Sequence, residues 1–272
     1  MIDGYAERLR RVTQARGAFC VGLDPHPSLL TAWGLSVDAA GAETLTRRVV
    51  EVLGERVAVF KPQSAFFEAF GSAGIAVLER VLGDIAAVGA LSLLDVKRGD
   101  IGSTMQAYAD AYLVDGAPLA ADAITVSPYL GFGSLQPAFD RAHRYGRGVY
   151  VLARTSNPEG GQVQLASGGE DAAAVAQQII DAARRANDES GQHAIGLVIG
   201  ATHADLGCDP SEFNGSILVP GIGAQGGRVA NLPGLFRDAV AHVLPAASRE
   251  VLAAGPDAAA LHGRVDTLLA TR

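Results

Sequence analysis

Asp95, Lys97 and Asp100 follow directly on an apolar run from Leu91 to Leu94. Two carboxylates and an ammonium in a D-x-K-x-x-D spacing, set at the carboxyl end of a buried strand, form an array that can stabilise developing charge and move a proton. Alternation along the strand turns Asp95 and Lys97 to one side, and Gly99 lets the chain bend before Asp100. The bland alternative is a solvated charge cluster in a loop. The longer pattern Asp95-x-Lys97-x-x-Asp100-Ile101-x-x-Thr104 is too specific for that to be the better account. Lys61 closes a second apolar run, Val57 to Phe60, and is stiffened by Pro62. Alone it reads as a snorkelling structural lysine; beside the Asp95/Lys97 array it reads as a second functional ammonium. Asp24-Pro25 ends a third run, Ala18 to Leu23, as an ordinary turn would, yet on the same presumed rim.

A second chemical feature lies near the carboxyl end. Gly221-Ile222-Gly223-Ala224-Gln225-Gly226 satisfies G-x-G-x-x-G, but it does not open the first strand–helix unit. The acidic residue a dinucleotide site needs about 20 positions later has only Asp238 as a candidate. The alternatives are a phosphate cradle built from backbone N–H groups, with Arg249 adding a forked cation, and a plain flexible loop.

These residues need elements to position them. Eight strand-like runs recur: 18–23, 57–62, from Leu91, 123–126, 148–153, 195–200, 216–220 and 244–248. Helical periodicity fills most of the intervals: 4–16, 38–53, 71–88, 104–115, 133–145, 171–186, a short helix after the sixth strand, 234–242 and 256–270. Strand and helix alternating at about 30 residues per unit is the pattern of a (β/α)8 TIM barrel, an α/β fold whose chemistry sits at the carboxyl ends of its strands. A doubly wound open sheet is the alternative. No composition break divides the chain, so one domain over residues 1–272 is expected. Residues 154–169, rich in Ser, Asn, Gly and Gln, read as a long active-site loop. Met105, Tyr108 and Tyr112 form a helical stripe that packs in the core or against a second subunit.

Composition bounds the function. In 272 residues, 49% are hydrophobic and 19% charged, which supports a large core and argues against disorder. The net charge of −7 argues against nucleic acid as a partner but leaves room for a small anion in a local cationic pocket. Cys20 and Cys208 stand far apart without a metal-ligand spacing, and the six histidines show none either, so no metal site is expected. With no apolar leader and no 18-residue apolar stretch, a soluble cytoplasmic protein is expected.

The Asp95-x-Lys97-x-x-Asp100-Ile101-x-x-Thr104 stretch closely resembles the motif of the orotidine 5′-phosphate decarboxylase family, in its longer bacterial branch. The resemblance implies cofactor-free decarboxylation of orotidine 5′-monophosphate to UMP and CO2 in pyrimidine biosynthesis. It implies that Lys61, Asp95, Lys97 and Asp100 form the charged array, with Lys97 as proton donor to C6. It further implies that Asp24 binds the ribose hydroxyls, Ser127 the pyrimidine, and Gln225 with Arg249 the phosphate. A homodimer follows, in which Asp100, Ile101 and Thr104 reach the neighbouring subunit's site. Two other readings remain open: a phosphosugar aldolase or epimerase using Lys61 or Lys97 as a Schiff base, and a non-catalytic nucleotide sensor.

Overall fold

In the computed structural model, residues 3–168 and 173–270 are described. Among them eight parallel strands close into one barrel: β1 (Cys20–Leu23), β2 (Val59–Pro62), β3 (Leu91–Arg98), β4 (Ala123–Val126), β5 (Gly148–Arg154), β6 (Ile195–Ile199), β7 (Ile217–Pro220) and β8 (Val243–Ala247). Each strand pairs with the next in sequence, and β8 returns to β1 with Ala246 opposite Cys20. The Ser248 hydroxyl donates to the carbonyl of Gly22 across that seam. Helices cover the outer face, so both sides of each strand are buried; this is why the strands read as continuous apolar runs rather than as alternating ones.

Two cores result. The larger lies between strands and helices, and the smaller fills the barrel with Val59, Leu91, Leu93, Tyr150, Val198, Leu218 and Leu244. The helix Tyr5–Arg16 closes the amino end of the barrel. There the Tyr5 hydroxyl meets the Tyr150 hydroxyl at 3.1 Å, and the two rings stand edge to face. Gly148 leaves room for this plug, since a Cβ there would lie 2.5 Å from the Tyr5 ring. Arg16, at the end of the same helix, donates to the carbonyls of Gly54 (2.7 Å) and Val88 (2.9 Å). It thereby satisfies the carboxyl ends of the helices Ala39–Leu53 and Gly71–Ala87, which would otherwise present unpaired C=O groups.

Several expected elements differ. No helix follows β6: residues 200–216 are irregular, turned where the Asp205 and Asp209 carboxylates accept from the amides of Gly207 (2.9 Å) and Ser211 (3.0 Å). Side-chain capping of local amides competes with helix formation, while Leu206 and Phe213 anchor the segment to the core. The expected 171–186 helix runs Val175–Ser190, and its first two positions lie outside the described residues. The 154–169 loop carries short turns at Pro158–Gly160 and Gly161–Gln164, and Gly169 lies outside the described residues. The expected 234–242 helix breaks into Leu232–Phe236 and a 3-10 turn, Arg237–His242, at a left-handed Arg237 with φ 47°. Met105 and Tyr112 of the aromatic stripe are buried, and the Arg98 guanidinium stacks over Tyr108 and Tyr112. No described helix is long and apolar enough to cross a membrane.

Candidate active site

Asp24, Lys61, Asp95 and Lys97 stand at or near the carboxyl ends of β1, β2 and β3, all at one mouth of the barrel. A cavity of about 900 Å³ opens there, lined among others by Asp24, Lys61, Asp95, Lys97, Ser127, Gln225 and Arg249. Its walls include Leu152, Val198, Leu218 and Ile222, so a few polar groups face each other across an otherwise apolar enclosure.

Asp95 is the centre of the polar set. Lys61 Nζ lies 3.0 Å from Oδ2 and Lys97 Nζ lies 2.7 Å from Oδ1, so one carboxylate is held between two ammonium groups. The Thr125 hydroxyl donates to the same Oδ1 at 2.7 Å. Burial alone would raise the Asp95 carboxyl. The charges of Lys61 and Lys97, with the hydrogen bonds from Lys97 and Thr125, overcome it and hold the group well below the usual carboxylate range. Burial would likewise lower Lys61, but Asp95 and Asp24 hold its ammonium well above the ordinary value. That direction opposes a Schiff-base role, which needs a free amine. Lys61 is 7% exposed, whereas 45% of the Lys97 side chain is accessible.

The local backbone explains how Lys97 reaches this position. The bend does not rest on Gly99 as expected: Lys97 itself adopts a left-handed conformation, with φ 45°, and the β3–β4 register shifts between Leu94 and Arg98. A non-glycine residue held there is a local strain of the kind that clusters at functional sites. Gly99 has a different task, since a Cβ at that position would lie 2.5 Å from the Ser127 carbonyl. The close approach brings the loop after β3 against the loop that carries Ser127, and the Ser127 amide donates to Arg98 O at 2.8 Å.

Just past the end of β1, the strand beside that of Lys61, Asp24 Oδ1 is buried without a hydrogen-bond partner among the described residues. A carboxylate oxygen left so inside a cavity is prepared for a donor such as a hydroxyl. Gly221, Gly223 and Gly226 all have positive φ, which lets the loop after β7 curl back on itself. The amides of Gly223, Gly226 and Gly227 donate to carbonyls within that loop, and the Ile222 amide donates to Ala246. The expected cradle of glycine N–H groups is thus largely engaged internally. What this loop offers the cavity is the Gln225 side chain, touched at 3.3 Å by the Ser156 hydroxyl, with Arg249 on the neighbouring rim. Arg249 forms no ion pair among the described residues, so its fork is available to an anion.

Asp100, Ile101 and Thr104 do not line this cavity. Asp100 Oδ1 accepts from the Ile101 amide at 2.8 Å, and Ile101 is 62% exposed at the start of the helix Gly102–Leu113. Sequence reasoning missed Thr125 and Ser156. The signal for Thr125 was its place two residues before Ser127, on the strand next to Asp95, but a β-branched residue in a strand attracts no notice. No group of three or more His, Cys, Asp or Glu side chains among the described residues is placed to hold a metal ion. Burial pushes the Cys20 thiol up to about 12 and the Cys208 thiol up to about 11, and both cysteines are free.

Comparison with known proteins agrees with this fold. Residues 17–263 match the model of the Orotidine 5′-phosphate decarboxylase / HUMPS family. Orotidine 5′-phosphate decarboxylase of Salinispora arenicola is 54% identical over 99% of this chain and 97% of its own length. The enzyme of the same name from Streptomyces coelicolor is 51% identical over 97% and 95%. A crystal structure provisionally assigned to that activity, from Streptomyces avermitilis, superposes with a TM-score of 0.93 at 52% identity, covering 98% of this chain and 94% of its own. The chain belongs to the orotidine 5′-phosphate decarboxylase family.

Proposed function

We propose that this chain decarboxylates orotidine 5′-monophosphate to UMP and CO2 in pyrimidine biosynthesis without a cofactor, and that Lys97 protonates C6. Family membership and the relatives' common name support the reaction. The observation that carries the mechanism is Asp95 clamped between Lys61 and Lys97 on the floor of an apolar cavity.

The steps follow from charge. Breaking the bond between C6 and the carboxylate releases CO2 and leaves its electron pair on C6 as a vinyl carbanion. The pyrimidine ring offers this pair little delocalisation, so a fixed cation must meet it. The Lys97 ammonium supplies that charge and then transfers one proton from Nζ to C6, and the neutral amine recovers its proton from water. Asp95 orients Lys97 and lies where the departing carboxylate would meet like charge. Lys61 keeps Asp95 ionised. Asp24 accepts from ribose hydroxyls, Ser127 contacts the pyrimidine, and Gln225 with Arg249 holds the phosphate. Binding that remote dianion stabilises the closed site about the reacting carbon.

Two copies are needed for the complete array. The exposed apolar side chains Ile101, Tyr129 and Leu130, on the loops after β3 and β4, form a surface that a second copy covers. Asp100, Ile101 and Thr104 then enter the neighbour's site, with Asp100 completing the alternating charges around Lys97. Purified protein in EDTA-containing buffer should deplete the orotidylate ultraviolet absorbance and yield UMP and CO2; no turnover by folded protein would refute the reading. Mixing inactive Lys97→Ala and Asp100→Ala subunits should restore about a quarter of the wild-type sites, because each mixed dimer assembles one site free of both substitutions. Absence of complementation after verified subunit exchange would refute the shared site.

A further inference from the structure

We infer that Thr125 is the positioning residue that aims Lys97 at the reacting carbon. The inference deepens the proton-donor reading and rests on it. The Thr125 hydroxyl accepts from the backbone N–H of Lys97 at 2.9 Å and donates to Asp95 Oδ1 at 2.7 Å. The same Oδ1 accepts from Lys97 Nζ at 2.7 Å. The three residues therefore form a closed ring in which the backbone and the ammonium of one lysine are both fixed through one hydroxyl and one carboxylate oxygen. The direction of every bond is forced: an amide N–H only donates, an ionised carboxylate only accepts, and a hydroxyl alone can do both.

Two features make the hydroxyl more than a sheet residue's ornament. First, the β3–β4 ladder is broken between Leu94 and Arg98, so the Lys97 amide has left its strand register, and Thr125 receives it in place of a backbone carbonyl. Second, Lys97 sits at φ 45°, a conformation that lysine rarely adopts and that needs local support. Thr125 is 1% exposed, so water has little access to replace the hydroxyl. Without it, Lys97 relaxes away from the left-handed region, and its ammonium loses its fixed direction while still reaching water.

The test compares Thr125→Val, which removes the hydroxyl and keeps the volume, with Thr125→Ser, which keeps the hydroxyl. Wild type and Lys97→Ala serve as controls. Thr125→Val should lose roughly 10- to 100-fold in kcat, the scale of one hydrogen bond to a charged group. KM and the calorimetric affinity for UMP should stay within about threefold, because the phosphate and ribose contacts lie elsewhere. Thr125→Ser should recover kcat to within about threefold of wild type. If Thr125→Val does not fold, Thr125→Ala deletes the same hydroxyl in a smaller side chain and must show the same split. Wild-type kcat in a hydroxyl-deleted variant, failure of serine to rescue, or a loss shared by UMP affinity would each overturn the inference. An active Lys97→Ala would instead overturn the donor reading beneath it.

Discussion

Replacing Lys97 with Ala should reduce kcat for orotidylate decarboxylation by at least about 10⁴-fold, because in the proposed mechanism one side chain supplies both the cation facing the carbanion and the proton that quenches it. Removing either contribution alone costs on the order of 10²-fold or more, and here they are lost together. The fold should survive. Lys97 is half accessible, and Asp95 retains Lys61 at 3.0 Å and the Thr125 hydroxyl at 2.7 Å. UMP titration by calorimetry separates the outcomes: unchanged product binding with abolished turnover assigns Lys97 to the chemical step. Turnover within tenfold of wild type would remove it from that role.

Asp95→Asn should damage both activity and stability. The amide cannot balance the buried Lys61 ammonium, which then keeps only the more distant Asp24 charge. Breaking a buried ion pair on one side costs about 3–5 kcal/mol. The pH dependence identifies the cause. The folded-state pKa of Asp95 lies below its unfolded value of about 4, so its contribution is complete above about pH 5 and is lost as pH falls towards the depressed value. Lys61 is shifted upwards, so its part is complete below about pH 10 and is lost only as pH rises through the raised value. Urea unfolding at pH 7 should therefore show the full deficit of Asp95→Asn, and the deficit should shrink partway at pH 3, where Asp95 of the unfolded wild-type chain is largely protonated while the folded pair is still ionised. A deficit independent of pH would mean that shape, not charge, holds the site together.

The barrel was legible because its strands are short, apolar and nearly evenly spaced, and the closed β1-to-β8 order follows that reading. The segment after β6 was not, because Asp205 and Asp209 cap turns with side chains whose choice of partner periodicity cannot see. The short helices Pro27–Ala32, Ser64–Glu68 and Arg249–Leu252 hold too few turns to show a period at all. In the site, Lys61, Asp95 and Lys97 declared themselves by ending apolar runs with charge. Thr125 did not, because its role depends on a register break between neighbouring strands, which no single run of residues displays. Gly99 was noticed for the wrong reason: its lack of a Cβ serves contact with Ser127, and the unusual backbone belongs to the lysine two residues earlier.

The seam between β8 and β1 joins positions 226 apart, where Ser248 meets Gly22. During synthesis β1 emerges early and waits with one edge unpaired until almost the whole chain has followed. Asp24 and Arg249 flank that seam, so the chain can assemble its charged floor of Lys61, Asp95 and Lys97 before it owns both walls of the pocket. The cavity between Asp24 and Arg249 is thus completed last, with the strand that also removes the exposed edge. A chain cut short before β8 should therefore keep an open edge at β1 and lack the wall that carries Arg249, so exposed edge and unfinished cavity should appear together.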